Sequence, residues 1–284
     1  MRDIAREAEQ GMFNRFFSKY MQRWHSHTGK DDIQVGIFSY HVWSTLGWHD
    51  IKQRYRRSVL GPFWFTLSTL IMVGVLGILY STLLNQEIKD YLPYLGVGLV
   101  VWQYISTCFN EGSNTFISYG YIMKQARMPI TTHVMRVVWR NFIILLHSLP
   151  VVVFLMILFG HNLTISFLGV VPGLLIVLLN TVWISIVLSI LCARFRDILP
   201  IVTNIIQVAF FFTPIMWSKE LLKDRAWAAD INPFHHMIEI VRAPILGSEI
   251  DLLSWVFSIV TLVVGFLFAH YLMVKCRDRV PYWL

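Results

Sequence analysis

Charge is what this chain lacks. From Asn141 to Ala193 it carries no Asp, Glu, Lys or Arg across 53 residues, and only 14% of its 284 residues are charged. As a helix that run would be ~80 Å long at ~1.5 Å per residue, whereas a bilayer core is ~30 Å thick. No soluble core buries such a length, so the run reads as two membrane spans folded back at Gly160-His161-Asn162. Three cysteines, Cys108, Cys192 and Cys276, are too few and too scattered for a disulfide framework and read as small apolar fillers. Period-two alternation is missing from the apolar runs, which excludes transmembrane strands. A phosphate-binding loop is missing too: Gly29-Lys30 has neither the upstream glycine nor the downstream hydroxyl. The histidines His25, His27, His235 and His236 lack metal-ligand spacing and nearby cysteine partners, so no metal is expected and their roles read as solvated or interfacial. Paired carboxylates, a Ser/His/Asp set and a nucleophile elbow are all absent. Any use of ATP therefore requires another chain.

What is present is apolar: 56% of residues are hydrophobic and the mean hydropathy is +0.56. Charge-free runs at Pro62–Leu84, Tyr91–Asn110, Ile198–Ser218 and Leu252–Val274 join the long one. The count predicts an all-α integral membrane protein with six spans, near 62–84, 91–118, 133–159, 163–192, 198–218 and 252–274, preceded by a cytoplasmic segment 1–60. Basic residues set the orientation. Residues 1–60, 124–140, 194–196 and the tail after the last span hold nineteen of the 24 Lys and Arg. By the positive-inside rule both termini are cytoplasmic. The net charge of +7 is then a topology signal and an attraction to anionic lipid, with nucleic-acid binding disfavoured. Residues 1–34 are too charged for a cleavable signal peptide.

Two amphipathic segments precede the first span. Phe13, Phe17, Tyr20 and Trp24 form one stripe beside Arg15, Lys19 and Arg23. In Gly47–Arg57, Trp48, Ile51 and Tyr55 share an arc of roughly 60° at ~100° per residue, with Asp50, Arg54 and other polar groups around the rest. Both fit a membrane-surface anchor, and both fit docking of a cytoplasmic partner. Between spans two and three, Gly120–Pro129 has a turn residue at each end and Lys124 and Arg127 inside, which suits one short helix projecting into the cytoplasm.

Glu111 interrupts the second span near its cytoplasmic end, level with Arg136 and Arg140, which share one helical face at the start of span three. No ladder of further acids runs through the spans, which favours a structural ion pair over a proton relay. The aromatics cluster, among them Phe63 and Trp64 at the first span and Phe210, Phe211 and Phe212 at the fifth. Most such rings serve the interfacial belt or helix packing, but the flat faces of the triplet suit stacking against sugar rings better than ion coordination. At least one of the adjacent Phe210–Phe212 rings has to point into the bundle. Beyond span five, Met237, Ile238, Val241 and Ile245 recur at helical spacing in a segment too short to span, which predicts short re-entrant or interfacial helices at the outer rim before the last span.

Several motifs in order resemble one family. They are the run from Leu46 to Trp64, Tyr91-Leu-Pro-Tyr94, Ala193-Arg-Phe-Arg-Asp-Ile198, Phe211-Phe-Thr-Pro-Ile215, Asn232-Pro-Phe with Arg242-Ala-Pro, and Arg279-Val-Pro-Tyr-Trp283. Together they resemble the membrane subunit of bacterial ABC type-2 polysaccharide exporters, in particular those of O-antigen and galactan; capsule and teichoic-acid exporters belong to the same class. The resemblance covers about residues 40–284 and leaves 1–40 unexplained. It implies a homodimer of six-span permeases in the bacterial inner membrane, joined to two copies of a separate ABC nucleotide-binding subunit that carries ATP and Mg. The implied substrate is a glycan on undecaprenyl pyrophosphate, moved outward. Trp48, Ile51, Arg54 and Tyr55, with Tyr121, Lys124 and Arg127, would meet the ATPase. Spans one and five would line the path with Phe63, Trp64, Phe210, Phe211 and Phe212, five rings for which packing between helices is the alternative role. A membrane-embedded glycosyl- or acyltransferase is the competing reading, but it would need a carboxylate or histidine constellation where the sequence has only isolated Glu111 and rim histidines. An ion channel or proton-coupled carrier would need more intramembrane charge or an internal repeat.

Overall fold

The structure, a computed structural model, describes residues 31–56, 61, 63–126, 128–160, 165–249 and 251–284. The stripe at 13–24, Arg57, Arg127 and the 161–162 turn fall outside them. Among the described residues every regular element is helical. Two helices, α1 (Asp32–Phe38) and α2 (Tyr40–Tyr55), precede α3 (Phe63–Leu83) and α4 (Ile88–Ser113). A one-residue break at Asn114 leads into α5 (Thr115–Gln125), then come α6 (Thr131–Leu158) and α7 (Val170–Arg194). After α8 (Ile198–Phe212) follow the single turn α9 (Trp227–Asp230), α10 (Pro233–Leu246), α11 (Leu252–Cys276) and the short α12 (Val280–Trp283).

Five helices, α3, α4, α6, α7 and α11, are long and apolar enough to cross a membrane. The fifth expected span is shorter than its charge-free run. The 15 residues of α8 reach ~22 Å. It stops because Pro214 disfavours helical geometry in the residue before it, and Thr213 is extended at φ −90°, ψ 136°. The chain then stays buried through Thr213–Met216.

At the centre stands α4, packed against α3, α6, α7, α8 and α10. Of its most apolar stretch 72% is buried, against 11% for α3 and 22% for α11, so those two present mostly apolar surface outward. Small residues allow the central contact. A Cβ at Gly112 would strike the Ser185 side chain. Instead Ser189 Oγ donates to the Gly112 carbonyl at 2.6 Å and Ser185 Oγ to that of Cys108 at 3.3 Å, binding α4 to α7 through backbone oxygens.

The short helix between the second and third long helices differs from expectation. It begins at Thr115, not Gly120, and ends at Gln125. Gly120 is mid-helix because a neighbouring segment, not a turn, demands a small residue there: its Cβ would come 3.2 Å from Leu284 Cβ.

At the far end of the bundle lies α10, opened by Pro233 in its first turn and by Asn232, whose side chain accepts from the Phe234 N–H at 2.9 Å. Gly247 closes it in the left-handed region at φ 71°. It is buried along most of its length, including His235 and His236, so of the solvated and interfacial roles expected for that pair the solvated one does not hold. His236 sits 2.8 Å from both Ser254 Oγ and the Asp230 carbonyl oxygen, joining α10 to α11 and α9.

Candidate functional site

At the α2 end of the bundle, five charged side chains from three helices form one network. Asp50 and Arg54 stand one turn apart on α2, Glu111 lies in the last turn of α4, and Arg136 and Arg140 stand one turn apart on α6. The Asp50 carboxylate takes Arg136 Nε at 2.7 Å on one oxygen and Arg136 Nη2 on the other, a two-pronged pair. Arg140 Nη1 reaches the same carboxylate at 3.2 Å, and its other arm pairs with Glu111. Glu111 also accepts from Asn141 Nδ2 at 2.8 Å and from Arg54 Nη2 at 3.0 Å. Tyr119 of α5 joins in: Arg136 lies 4.4 Å over its ring, and the His133 ring stacks on it at 5.3 Å.

Exposure grades across the network. Side-chain exposure is 10% for Arg140, 12% for Asp50 and 14% for Arg136, rising to 30% for Glu111 and 39% for Arg54. The inner three are therefore the costly charges to unpair, while water screens the Arg54 contact. Three guanidinium groups share two carboxylates, Arg136 and Arg140 on Asp50 and Arg140 and Arg54 on Glu111, so each cation has an anion beside it although the network keeps one positive charge in excess.

This geometry revises several sequence expectations. Glu111 pairs with Arg140, but Arg136 turns to Asp50, because α2 lies across the start of α6 and brings an acid closer. Helical periodicity puts Asp50 on the solvated arc of α2; in the fold it is the hub. The buried side of α2 runs through Val42, Gly47 and Ile51, and Asp50 turns inward beside it because the guanidinium groups of α6 lie there, while Arg54 stays exposed at the edge of the network. Ile51 is buried in the chain's own bundle, whereas Arg54 is exposed while it pairs with Glu111. Trp48 remains exposed, while Tyr55 is half-buried with its ring edge-on to Phe65 at 5.9 Å. On α5, Tyr121 is 75% exposed and Lys124 is exposed beside it.

The aromatic candidates separate into two groups at opposite ends of the bundle. Phe63 and Trp64 open α3 on the α2 side, and both are exposed. The Phe210–Phe212 triplet closes α8 on the α10 side, with Phe211 and Phe212 exposed and Phe210 half-buried. Phe210 packs 5.7 Å from Trp102, which in turn meets Phe234 at 5.4 Å. One ring of the triplet thus faces inward and two do not.

Two polar features, Asp50 and Asp32, carry little mark in the sequence, and a third, Arg242, shows there only its spacing to Glu239. Asp50 was signalled only by charge balance, two arginines on one face of α6 against a single acid. Arg242 is 2% exposed; it pairs with Glu239, donates to the Pro214 carbonyl at 2.8 Å and lies 4.0 Å over the Tyr94 ring, fastening α10 to the end of α8 and the start of α4. Asp32, wholly buried, had no local signal at all. Among the described residues no three His, Cys, Asp or Glu side chains gather as a metal site.

Comparison with known proteins adds two findings. The sequence profile of the ABC-2 type transporter family matches residues 41–246. Among curated proteins, an O-antigen export system permease protein RfbA of Klebsiella pneumoniae is 25% identical over 222 residues, covering 76% of this chain and 86% of the relative. A second RfbA from the same organism is 26% identical over 191 residues, covering 66% and 74%. One from Myxococcus xanthus is 27% identical over 194 residues, covering 68% and 75%.

Proposed function

The chain belongs to the ABC-2 type transporter family, as a multi-pass permease subunit and not an enzyme, and on that premise we propose that it exports a lipid-linked polysaccharide. The substrate is an O-antigen-like glycan on undecaprenyl pyrophosphate, moved from the cytoplasmic to the outer side of the bacterial inner membrane. The working unit is a homodimer of six-span subunits with cytoplasmic termini, α8 and the stretch to Trp217 forming the fifth span. Two copies of a separate nucleotide-binding subunit supply ATP and Mg. The O-antigen permeases matched over most of this chain's length support the substrate class.

The observation that carries the coupling part is the ion-pair network. It fixes α2 to α4 and α6, and Tyr119 of α5 touches the same hub, donating to Asp50 at 3.4 Å. A push on α5 or α2 is thereby delivered to the ends of two long helices. Trp48, Tyr121 and Lys124 are the exposed side chains that meet the ATPase; Arg127 belongs to the same loop. Along the glycan path, the exposed rings of Phe63 and Trp64 serve the cytoplasmic entrance and those of Phe211 and Phe212 the outer exit, since flat apolar faces hold sugar rings weakly and tolerate changes of register.

The test is cysteine cross-linking in the assembled complex, with Cys276→Ser as background because that thiol is partly accessible. Tyr121→Cys and Lys124→Cys should cross-link to the ATPase, and ATP hydrolysis by the complex should rise with the lipid-linked glycan. Labelling of those positions from the outer side, or hydrolysis indifferent to the glycan, would sink the proposal.

A further inference from the structure

Parts of the chain far apart in sequence converge on the start of α6. Asp32, in the first turn of α1, is 0% exposed, and its carboxylate accepts from four donors. These are the N–H groups of Ile130 at 3.2 Å and Thr131 at 3.1 Å, Thr131 Oγ1 at 2.8 Å, and Arg277 Nε at 3.0 Å. No side chain next to it in sequence caps α6. Asp32 does so from 99 residues away, placing its negative charge where the helix dipole favours one. One turn later Gly36 lies so close that a Cβ would come 2.6 Å from Thr131 Cβ. Thus α1 fixes where the loop from α5 enters α6, and Arg277 fixes α1 to the end of α11.

The segment that follows Arg277 reaches α5 itself. Leu284 packs on Gly120, and Trp283 lies under the Arg194 guanidinium at 5.1 Å. Phe116 and Met123 are buried, whereas Tyr121 and Lys124 face outward. So α5 is held at the loop that follows it by α1 and across its middle by Leu284, and Arg277 links those two supports.

We infer that the Asp32–Arg277 pair and the Leu284–Gly120 contact form a bracket that positions α5, so that α5 and the end of α11 move as one body when the ATPase acts. Asp32, Arg277 and Leu284 are positioning residues: they act on the partner through α5. The inference rests on reading α5 as the ATPase contact. It adds that the end of α11, remote from α5 in sequence, shares its motion, and that residues outside the contact set how much export each ATP yields.

The experiment uses the assembled complex with Arg277→Gln, Arg277→Lys, Leu284→Ala and Gly120→Val. Two quantities are read: amide hydrogen exchange of Thr115–Gln125, and glycan exported per ATP hydrolysed. Arg277→Gln, Leu284→Ala and Gly120→Val should speed exchange in α5 about tenfold, since local opening is governed by such local contacts. They should also lower export per ATP at least threefold in complexes that still assemble, and Arg277→Lys should recover most of both. Unchanged exchange in Arg277→Gln and Leu284→Ala overturns the bracket. Faster exchange with normal export per ATP overturns its role in coupling. Failure of Tyr121→Cys to cross-link in the otherwise unaltered complex is a separate result, against the ATPase contact itself, so the two failures are distinguishable. Gly120→Val can disturb packing by overfilling; Leu284→Ala removes the same contact without that, so the two must agree.

Discussion

Replacing Asp50 by Asn removes the anion from the hub while keeping its shape. In the native network that carboxylate faces Arg136 and Arg140, and all three side chains are at most 14% exposed. The amide still accepts one hydrogen bond but offers no charge, and its NH2 group points donors at donors. Breaking a buried ion pair on one side costs ~3–5 kcal/mol, chiefly from the uncompensated partner. Arg140 keeps Glu111, so the lower end, about 3 kcal/mol, is expected. Glu111→Gln should cost less, ~1–2 kcal/mol, because that carboxylate is 30% exposed and one of its partners, Arg54, is 39% exposed. In detergent, with ~2–4 °C per kcal/mol for a chain of this size class, Asp50→Asn should lower the midpoint of thermal unfolding by roughly 6–12 °C, more than Glu111→Gln does. Asp50→Asn combined with Arg136→Gln should recover part of the loss, and the double-mutant cycle isolates the pair. A loss below ~1 kcal/mol for Asp50→Asn, or the reverse ranking, would refute the hub assignment. Normal stability of Glu111→Gln, with export lost and its pH dependence flattened, would revive the proton relay in place of the ion pair.

Other expectations separate structure from function at single positions. The purified chain alone should hydrolyse no ATP, lacking a phosphate-binding loop, and turnover by a contaminant-free preparation would contradict the permease role. Phe210→Leu should lower stability by ~1 kcal/mol through lost packing on Trp102, whereas Phe211→Leu and Phe212→Leu should leave stability alone and slow export; normal export in both would place the path elsewhere. Asp251 caps α11: burial works against its charged form, but hydrogen bonds from Ser254 Oγ and the N–H groups of Leu253 and Ser254 outweigh it and hold the pKa below the ordinary 3.8. Because the folded value is the lower one, its contribution is complete above the unfolded pKa and lost as pH falls through the folded one. Asp251→Ala should therefore cost ~1 kcal/mol at neutral pH and progressively less below about pH 4, read by unfolding in a pH series.

Membership of the membrane class was legible in the sequence, because apolar length is a local property and a bilayer sets the length required. The charge-free runs located α3, α4, α6, α7 and α11 to within a few residues at most ends, and the helical spacing of Met237, Ile238, Val241 and Ile245 marked α10. Where a run's end depends on backbone chemistry instead of hydropathy, the reading overshot: Pro214 ends α8 although no charge appears until Lys219. The Glu111 pairing was half legible, since a lone acid level with two arginines must find a cation, but helical spacing alone does not say which.

The rest was decided by which helices lie side by side. Helix periodicity shows which residues share a face, yet not what that face meets, and on α2 Asp50 alone of the polar arc turned inward because two guanidinium groups waited on α6. Gly120 has the look of a turn residue in the sequence and is a contact point in the fold, for the single reason that Leu284 lies against it. Asp32 and Arg277, 245 positions apart, carry no mark of each other in the sequence. An isolated buried charge is too costly to survive, so each has to be answered by some partner. The sequence determined that need; only the packing of α1, α6 and α11 chose the partner.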